Sequence, residues 1–177
     1  MSTEPEPEPI LIVTTGGTID KAYFDALSSY QVGETVVARL LTIAHVTYPY
    51  RIVELLRKDS LELTDADRAT LREAIEETGA RRIIVTHGTD TMTDSAKALA
   101  AIDNRTIVLT GALAPARFSE SDATFNLGMA FAAVQTLPAG VYITMNGRVF
   151  RGDEVRKDRQ QRSEEHTSEL QSQNRIS

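Results

Sequence analysis

Residues 82–110 read RIIVTHGTDTMTDSAKALAAIDNRTIVLT, and this stretch predicts the fold class. Its two ends, residues 82–86 and 106–110, are short apolar runs rich in β-branched residues, which are typical of strands buried on both faces of a parallel sheet. Between them, residues 94–102 carry a helical pattern. A strand, a helix and a second strand in this order indicate a βαβ crossover, which joins parallel strands.

The same alternation extends to both sides of this unit. Further strands are predicted at residues 10–14, 51–56 and 140–145, a short hairpin partner at 148–150, and helices at 35–44, 64–78 and 124–136. Residues 51–56 also permit a helical interpretation. Thr64 and Gly79 have the chemistry of a helix N-cap and a helix stop. The sequence therefore predicts an α/β fold, with a three-layer, doubly wound, mostly parallel sheet of Rossmann or flavodoxin type in a single domain.

Both ends of the chain are predicted to lie outside this domain, which we place at residues 10–161. Residues 1–9 (MSTEPEPEP) alternate Glu and Pro, a composition typical of a disordered arm. Residues 162–177 lack apolar periodicity and are predicted to be a disordered tail. The string RSEEHTSELQS at its start matches the in-frame translation of a sequencing-adaptor oligonucleotide, so we expect the natural coding sequence to end near Gln161.

The composition excludes several functional classes. Across 177 residues, 25 Asp and Glu outnumber 19 Lys and Arg, which argues against a nucleic-acid or anionic-membrane partner. The absence of Cys excludes disulfides and thiolate nucleophiles, and the three scattered His form no zinc motif. No run approaches the ~20 apolar residues of a membrane helix, and no basic residue precedes an apolar run as in a secretory signal. We therefore expect a cytoplasmic protein without a metal.

Polar residues follow the predicted strands, at the edge where parallel α/β sheets bind ligands. Residues 14–19 (TTGGTI) follow the first strand, and their glycines allow close backbone approach and leave N–H groups for an anionic oxygen. This turn lacks the ending of a Walker loop and the further glycines of a dinucleotide fingerprint. Residues 87–92 (HGTDTM) place hydroxyls and a carboxylate at another strand end, where they are costly unless they bond something. Thr91 or Asp94 has a simpler interpretation as a helix N-cap.

These two motifs, in this order and about seventy residues apart, resemble the paired threonine motifs of the bacterial-type L-asparaginase family. Four further parts of the chain are similar to segments of that family. They are a mobile lid at 28–33 (SSYQVG), a substrate-serine loop at 58–64 (KDSLELT), the segments TGA and FNL at 110–112 and 125–127, and a lysine segment at 152–157 (GDEVRK). The resemblance covers about residues 10–159.

The resemblance implies a chemistry, the hydrolysis of asparagine to aspartate and ammonia. It places the nucleophile at Thr18, assisted by Tyr30 on the lid. It implies that Thr89 works with Asp90 and Lys157 in proton transfer. A threonine hydroxyl is a weak nucleophile and needs an adjacent base, and a lysine serves as a base only if its pKa is lowered.

The resemblance also implies the substrate contacts. Ser60 would bind the α-carboxylate, and Asp90 would bind the ammonium group. Gly17, Gly88 and Thr89 would line the substrate, with backbone amides and the Thr89 hydroxyl stabilising the oxyanion. It implies no metal or organic cofactor, a small amino-acid substrate as the partner, and a homo-oligomer, either a dimer or a tetramer.

Two features depart from the family pattern. Leu61 stands where many members have a polar residue that contacts the substrate, and members carry a second domain that completes the site of a neighbouring protomer. The chain is therefore a short member or a fragment of a longer one.

Two other functions stay open, a glutamine-hydrolysing protein that supplies ammonia to an amidotransferase and a non-catalytic amino-acid-binding domain. We interpret His87 as a strand-end hydrogen-bonding residue.

Overall fold

In the part of the chain that the structure describes, six strands form one mixed sheet with four helices packed against it. The computed structural model describes residues 6–20, 36–157 and 175–176, with only the backbone at 156–157 and 175–176. The strands are β1 (Ile10–Gly16), β2 (Tyr50–Lys58), β3 (Arg82–Thr86), β4 (Thr106–Thr110), β5 (Gly140–Met145) and β6 (Arg148–Arg151). The helices are α1 (Val36–Ile43), α2 (Asp65–Thr78), α3 (Met92–Leu99) and α4 (Ala123–Thr136). Two-residue strands β7 (Arg156–Lys157) and β8 (Arg175–Ile176) pair separately.

The strand order is β2-β1-β3-β4-β5-β6, and all neighbours are parallel except β5 and β6. The order of the five parallel strands is that of flavodoxin-type sheets, and it reverses direction between β1 and β3. Ligands in such sheets bind in the crevice outside the carboxyl ends of the strands at this reversal. The fold therefore directs attention to the loops that follow β1 and β3.

Alternate residues of each central strand face two separate cores, as the continuous apolar runs predict. In β1, Leu11 and Val13 pack in one core, whereas Ile10 and Ile12 pack in the other. The first core also contains the buried side chains of α2 and α3, and the second contains those of α1 and α4. The predicted three-layer, doubly wound, mostly parallel α/β fold is confirmed.

Helix α3 differs from its predicted boundaries at both ends, and strands β1 and β2 are each longer than predicted. Helix α3 begins at Met92 rather than at residue 94, because the fully buried Met92 side chain packs into the core and the Thr91 carbonyl already accepts the first helical N–H donors. It ends at Leu99 rather than at 102, since Ala100 and Ile102 turn back with i→i−3 bonds. Residues 51–56, for which a helix was an alternative, belong to the edge strand β2.

Helix α2 has the ends that the sequence predicts. The Thr64 hydroxyl accepts from Asp67 N, and the Asp67 carboxylate accepts from Thr64 N, which forms a reciprocal capping box. Lys58 Nζ lies 2.8 and 2.9 Å from the two Asp67 oxygens. The hydrogen bonds from Lys58 and Thr64 lower the pKa of Asp67 to about 2. Gly79 ends the helix in the left-handed conformation.

Two further features are the hairpin that leads to β6 and the hydrogen bonds of the amino-terminal arm. β6 returns along β5 through Asn146 and Gly147, both at positive φ, as in a two-residue hairpin turn. In the amino-terminal arm, Glu8 accepts hydrogen bonds from Tyr48 Oη at 3.3 Å and from Arg81 N at 3.0 Å. Residues 1–5 of the predicted arm and most of the predicted tail lie outside the described residues. No helix of the described ranges is long and apolar enough to cross a membrane.

Replacement of Thr64 by Ala removes the side-chain cap of α2, and we expect it to lower the free energy of unfolding by about 1 kcal/mol. Urea denaturation of the purified chain measures this change. The matched control is Thr70→Ala, because the Thr70 hydroxyl bonds back to Ala66 O within the same helix and Ala is the better helix former. Equal losses in the two variants would contradict the capping role.

Candidate active site

The two glycine-containing turns meet at the carboxyl edge of β1 and β3. Gly16 and Gly17 have φ angles of +97° and +89°, a backbone conformation that residues with a side chain rarely adopt. A Cβ on Gly17 would lie 2.4 Å from Gly88 N, and one on Gly16 would lie 2.6 Å from Lys58 O. No side chain fits at either position. Gly17 therefore brings the TTGGTI turn directly against the HGTDTM turn, and Gly16 brings it against the end of β2.

Hydrogen bonds hold the first turn in this place. The buried Thr15 hydroxyl donates to Thr86 O at 2.9 Å, across 71 residues of sequence. Gly17 N donates to Lys58 O at 3.0 Å, which ties the turn to the end of β2. Thr18 then opens a short 3₁₀ turn, Thr18–Asp20, and its side chain is half-buried. The predicted nucleophile therefore stands at the start of a segment anchored on both neighbouring strands.

Ser60 lies against Gly88 of the HGTDTM turn. A Cβ on Gly88 would lie 2.6 Å from both Cβ and Oγ of Ser60, so the two residues are in direct contact. The Ser60 side chain is 1% exposed, and its hydroxyl has no hydrogen-bond partner among the described residues. Leu61, beside it, is 68% exposed. A buried hydroxyl without a partner is costly, and a ligand oxygen would satisfy it.

His87 is a buried, neutral hydrogen-bonding residue. Its Nδ1 lies 2.7 Å from Gly88 O, and its Nε2 lies 2.7 Å from Ser95 Oγ. A carbonyl oxygen only accepts, so Nδ1 carries the proton and Nε2 accepts from the Ser95 hydroxyl. Burial disfavours the charged ring and lowers the pKa of His87 to about 4, with Arg68 acting in the same direction. Both ring nitrogens are used in fixing the turn, which agrees with the interpretation from the sequence.

The loop after β4 contacts the turn that carries Thr18 at the same edge of the sheet. The carboxylate of Asp122 accepts from Leu113 N and Ala114 N at 3.0–3.1 Å. Buried Asn126 donates to Gly111 O and to Asp122, so α4 holds both ends of this loop. Ala116 N in turn donates to Ile19 O, next to Thr18. The TGA and FNL segments thus support the turn of the predicted nucleophile.

One ionisable residue of the site has no counterpart in the sequence predictions. Asp20 closes the 3₁₀ turn that Thr18 opens. Its pKa is raised to about 6, because burial disfavours the charged form and Glu54 adds a second negative charge, while Arg57 opposes the shift. The available signal was a carboxylate two residues beyond Thr18, which alone does not indicate burial.

The predicted site residues fall into three groups. Those carried by the two contacting turns and the serine loop lie at one edge of the sheet, namely Gly17, Thr18, Ser60, Gly88, Thr89 and Asp90. Lys157 belongs to β7, where only its backbone is described. Tyr30 and the rest of the predicted lid lie outside the described residues.

The alternative that Thr91 or Asp94 caps α3 is correct only in position. Thr91 occupies the N-cap position, but its side chain makes no capping hydrogen bond, and Asp94 lies within the helix. The Thr91 hydroxyl instead donates to Ser60 O at 2.6 Å. Among residues 6–20 and 36–155, no three His, Cys, Asp or Glu side chains cluster as metal ligands.

A family model matches most of the chain. The family described as Asparaginase, N-terminal, matches residues 9–173. The chain belongs to the asparaginase N-terminal family. The match continues to residue 173, past the domain boundary that we place at residue 161, and that boundary stays a prediction.

Two relatives are similar to most of this chain. The chain is 28% identical over 166 residues to a glutaminase-asparaginase of Acinetobacter glutaminasificans, covering 84% of the chain and 49% of that protein. It is 31% identical over 164 residues to one subunit of the glutamyl-tRNA(Gln) amidotransferase of Methanococcus maripaludis, covering 88% and 38%. The chain therefore spans half or less of these asparaginase-family relatives.

Solved structures of the family share the fold. The thermostable L-asparaginase of Thermococcus kodakarensis superposes with a TM-score of 0.72 at 27% identity, over 81% of this chain and 46% of that one. A probable cytoplasmic L-asparaginase of Campylobacter jejuni gives 0.70 at 25% identity, over 84% and 49%.

Substitution of Gly17 by Ala places a methyl group into the Gly88 backbone at a positive φ. We expect a loss of at least about 2 kcal/mol of unfolding free energy. Gly128→Ala is the matched control, because a Cβ at this exposed α4 position meets nothing within 4 Å, and it should stabilise by up to about 1 kcal/mol. Chemical denaturation of both variants measures the difference, and similar stabilities would contradict the tight backbone contact.

Protonation of His87 should destabilise the folded chain. The unfolded ring takes up a proton near its ordinary pKa of 6.5, whereas the folded ring does so only near 4. Its contribution to stability is therefore complete above pH 6.5 and is lost as the pH falls from 6.5 towards 4. Nitrogen-15 NMR of the ring should show Nδ1 protonated and Nε2 bare at pH 7. A proton on Nε2, or titration near 6.5 in the folded chain, would contradict this assignment.

Proposed function

We propose that the chain is an asparaginase-like amidohydrolase that converts L-asparagine to L-aspartate and ammonia. The observation that supports it most is the backbone contact between Gly17 and Gly88. Each of these glycines directly precedes a threonine, Thr18 and Thr89, so the contact joins the two motifs that carry the family resemblance. Membership of the asparaginase family supports the same reaction class.

In this proposal Thr18 is the nucleophile. Its hydroxyl oxygen attacks the carbonyl carbon of the side-chain amide, while its proton passes to a base. The charge that develops on the carbonyl oxygen is stabilised by the Thr89 hydroxyl and by backbone N–H groups of the turns. The C–N bond then breaks, the nitrogen takes a proton and leaves as ammonia, and water hydrolyses the threonine ester to release aspartate.

Three further residues complete the proposed proton transfers. Tyr30 moves the Thr18 proton, and Lys157 acts with Thr89. Asp90 holds the lysine. A lysine is a base only when neutral, which requires burial or neighbouring charges that lower its pKa.

Substrate recognition is assigned to Ser60, Asp90 and the glycine turns. The buried Ser60 hydroxyl, without a partner in the described residues, supports a role in binding the α-carboxylate. Asp90 would bind the ammonium group. Leu61 offers no hydrogen bond to a substrate, and the loss of one such bond to a charged ligand weakens binding by roughly 1.5–3 kcal/mol.

A second candidate is hydrolysis of glutamine to supply ammonia. The 31% identity to the glutamyl-tRNA(Gln) amidotransferase chain favours it. A third is amino-acid binding without catalysis, for which the Ser60 hydroxyl, without a partner in the described residues, would still serve as a ligand contact. We further propose a cytoplasmic location, in line with the neighbour described as a probable cytoplasmic L-asparaginase, and a homo-oligomer, which the family resemblance implies.

The first test is ammonia release from L-asparagine and, separately, from L-glutamine. We expect the asparagine reaction to dominate and Thr18→Ala to reduce it by at least about a thousandfold, because the nucleophile is removed. Thr136→Ala is the control, since its exposed hydroxyl bonds Ala132 O at the far end of α4.

Each other result selects a different function. A preference for glutamine supports the ammonia-supplying role. A folded wild type that binds L-aspartate but hydrolyses neither L-asparagine nor L-glutamine supports the function of an amino-acid-binding domain. Full activity in Thr18→Ala would exclude Thr18 as the nucleophile.

A further inference from the structure

The Thr91 hydroxyl has an unusual partner for its position. A threonine at the N-cap position normally has extended backbone and accepts a hydrogen bond from the first helical turn. Thr91 has φ −122° and ψ 17°, and its side chain makes no such bond. Its buried hydroxyl instead donates to Ser60 O at 2.6 Å, which joins the turn after β3 to the loop after β2.

This bond and one within the serine loop together hold both sides of the Ser60–Leu61 peptide. Leu61 N donates to Asp59 Oδ1 at 3.2 Å, so the N–H side of the Ser60–Leu61 peptide is held within the loop. The carbonyl side is held by Thr91 at 2.6 Å and only loosely by Leu63 N at 3.4 Å. The direction of a carbonyl is tied to its own residue's backbone, so the Thr91 bond sets how Ser60 presents its side chain.

The same contact brings Ser60 against Gly88. No Cβ fits between them, since one on Gly88 would lie 2.6 Å from Ser60 Oγ. The Ser60 hydroxyl, which lacks a partner within the described ranges, is thus placed by the turn that carries Thr89 and Asp90. The Thr91 hydroxyl thus joins the loop of the proposed carboxylate-binding residue to the turn of the proposed catalytic residues.

We propose that Thr91 is a positioning residue for substrate affinity, acting through Ser60. This inference rests on the proposed function, because it assumes that Ser60 binds the α-carboxylate. Thr91 touches no reacting atom in this arrangement. Its loss therefore weakens the ground-state contact with the carboxylate and leaves the steps at Thr18 and Thr89 in place, so KM rises and kcat does not fall.

The test compares Thr91→Val, Thr91→Ser and Thr106→Val. Val keeps the shape of Thr91 and removes the hydroxyl, whereas Ser keeps the hydroxyl. Thr106 is the matched control, because its hydroxyl also donates to a backbone carbonyl 31 residues away, Leu137 O, at the opposite end of β4. Thr91→Ala carries the test if the Val variant does not fold.

We expect Thr91→Val to raise KM for L-asparagine about 3- to 10-fold, with kcat within about twofold of wild type. Thr91→Ser and Thr106→Val should keep the wild-type KM. Amide hydrogen exchange at Leu61 and Leu63 should be faster in Thr91→Val and unchanged in Thr106→Val, because only the first variant releases the serine loop.

The outcomes separate this inference from the proposed function. Wild type that does not hydrolyse L-asparagine overturns the proposed function. If that protein still binds L-aspartate, an unchanged affinity in Thr91→Val overturns the inference as well. Active wild type with an unchanged KM in Thr91→Val overturns the inference alone, whether or not exchange at the loop is faster. Exchange at Leu61 and Leu63 that does not change overturns the mechanical link itself.

Discussion

The close approach of three loops at one edge of the sheet is the constraint on which the site depends. Gly17 lies against Gly88, and Gly88 lies against Ser60, with no space for a side chain at either glycine. Three loops that are distant in sequence therefore share one small volume. The bonds of Thr15, Thr91 and His87 hold this contact, and each uses a buried side chain on a backbone oxygen.

The strand order explains why these loops meet. β1 and β3 are neighbours, and the sheet grows away from their junction in opposite directions, so their two crossovers leave on opposite faces. This leaves a crevice between the ends of the two strands, which α1 and α4 flank on one face and α2 and α3 on the other. The fold thus provides a binding edge, and the chemistry depends on what the loops place there.

Much of this arrangement could be predicted from the sequence, because long apolar runs and paired glycine–threonine turns are strong local signals. The strands at residues 82–86 and 106–110 and the cap at Thr64 fall at the predicted positions. The predicted start of α3 was wrong, because the burial of Met92 depends on tertiary packing rather than on a local pattern. The partners of Thr91 and His87 and the burial of Asp20 lie in contacts that no spacing encodes.

The hydrogen bond from the Thr15 hydroxyl in β1 to Thr86 O in β3 joins residues 71 positions apart, and this separation affects how the molecule folds. The chain between them must loop out through β2 and α2 before the two strands pair, and the entropy of closing such a loop opposes early contact. Contacts of this range slow folding relative to local ones. During synthesis, the first turn therefore cannot form its hydrogen bond to Thr86 until β3 has left the ribosome.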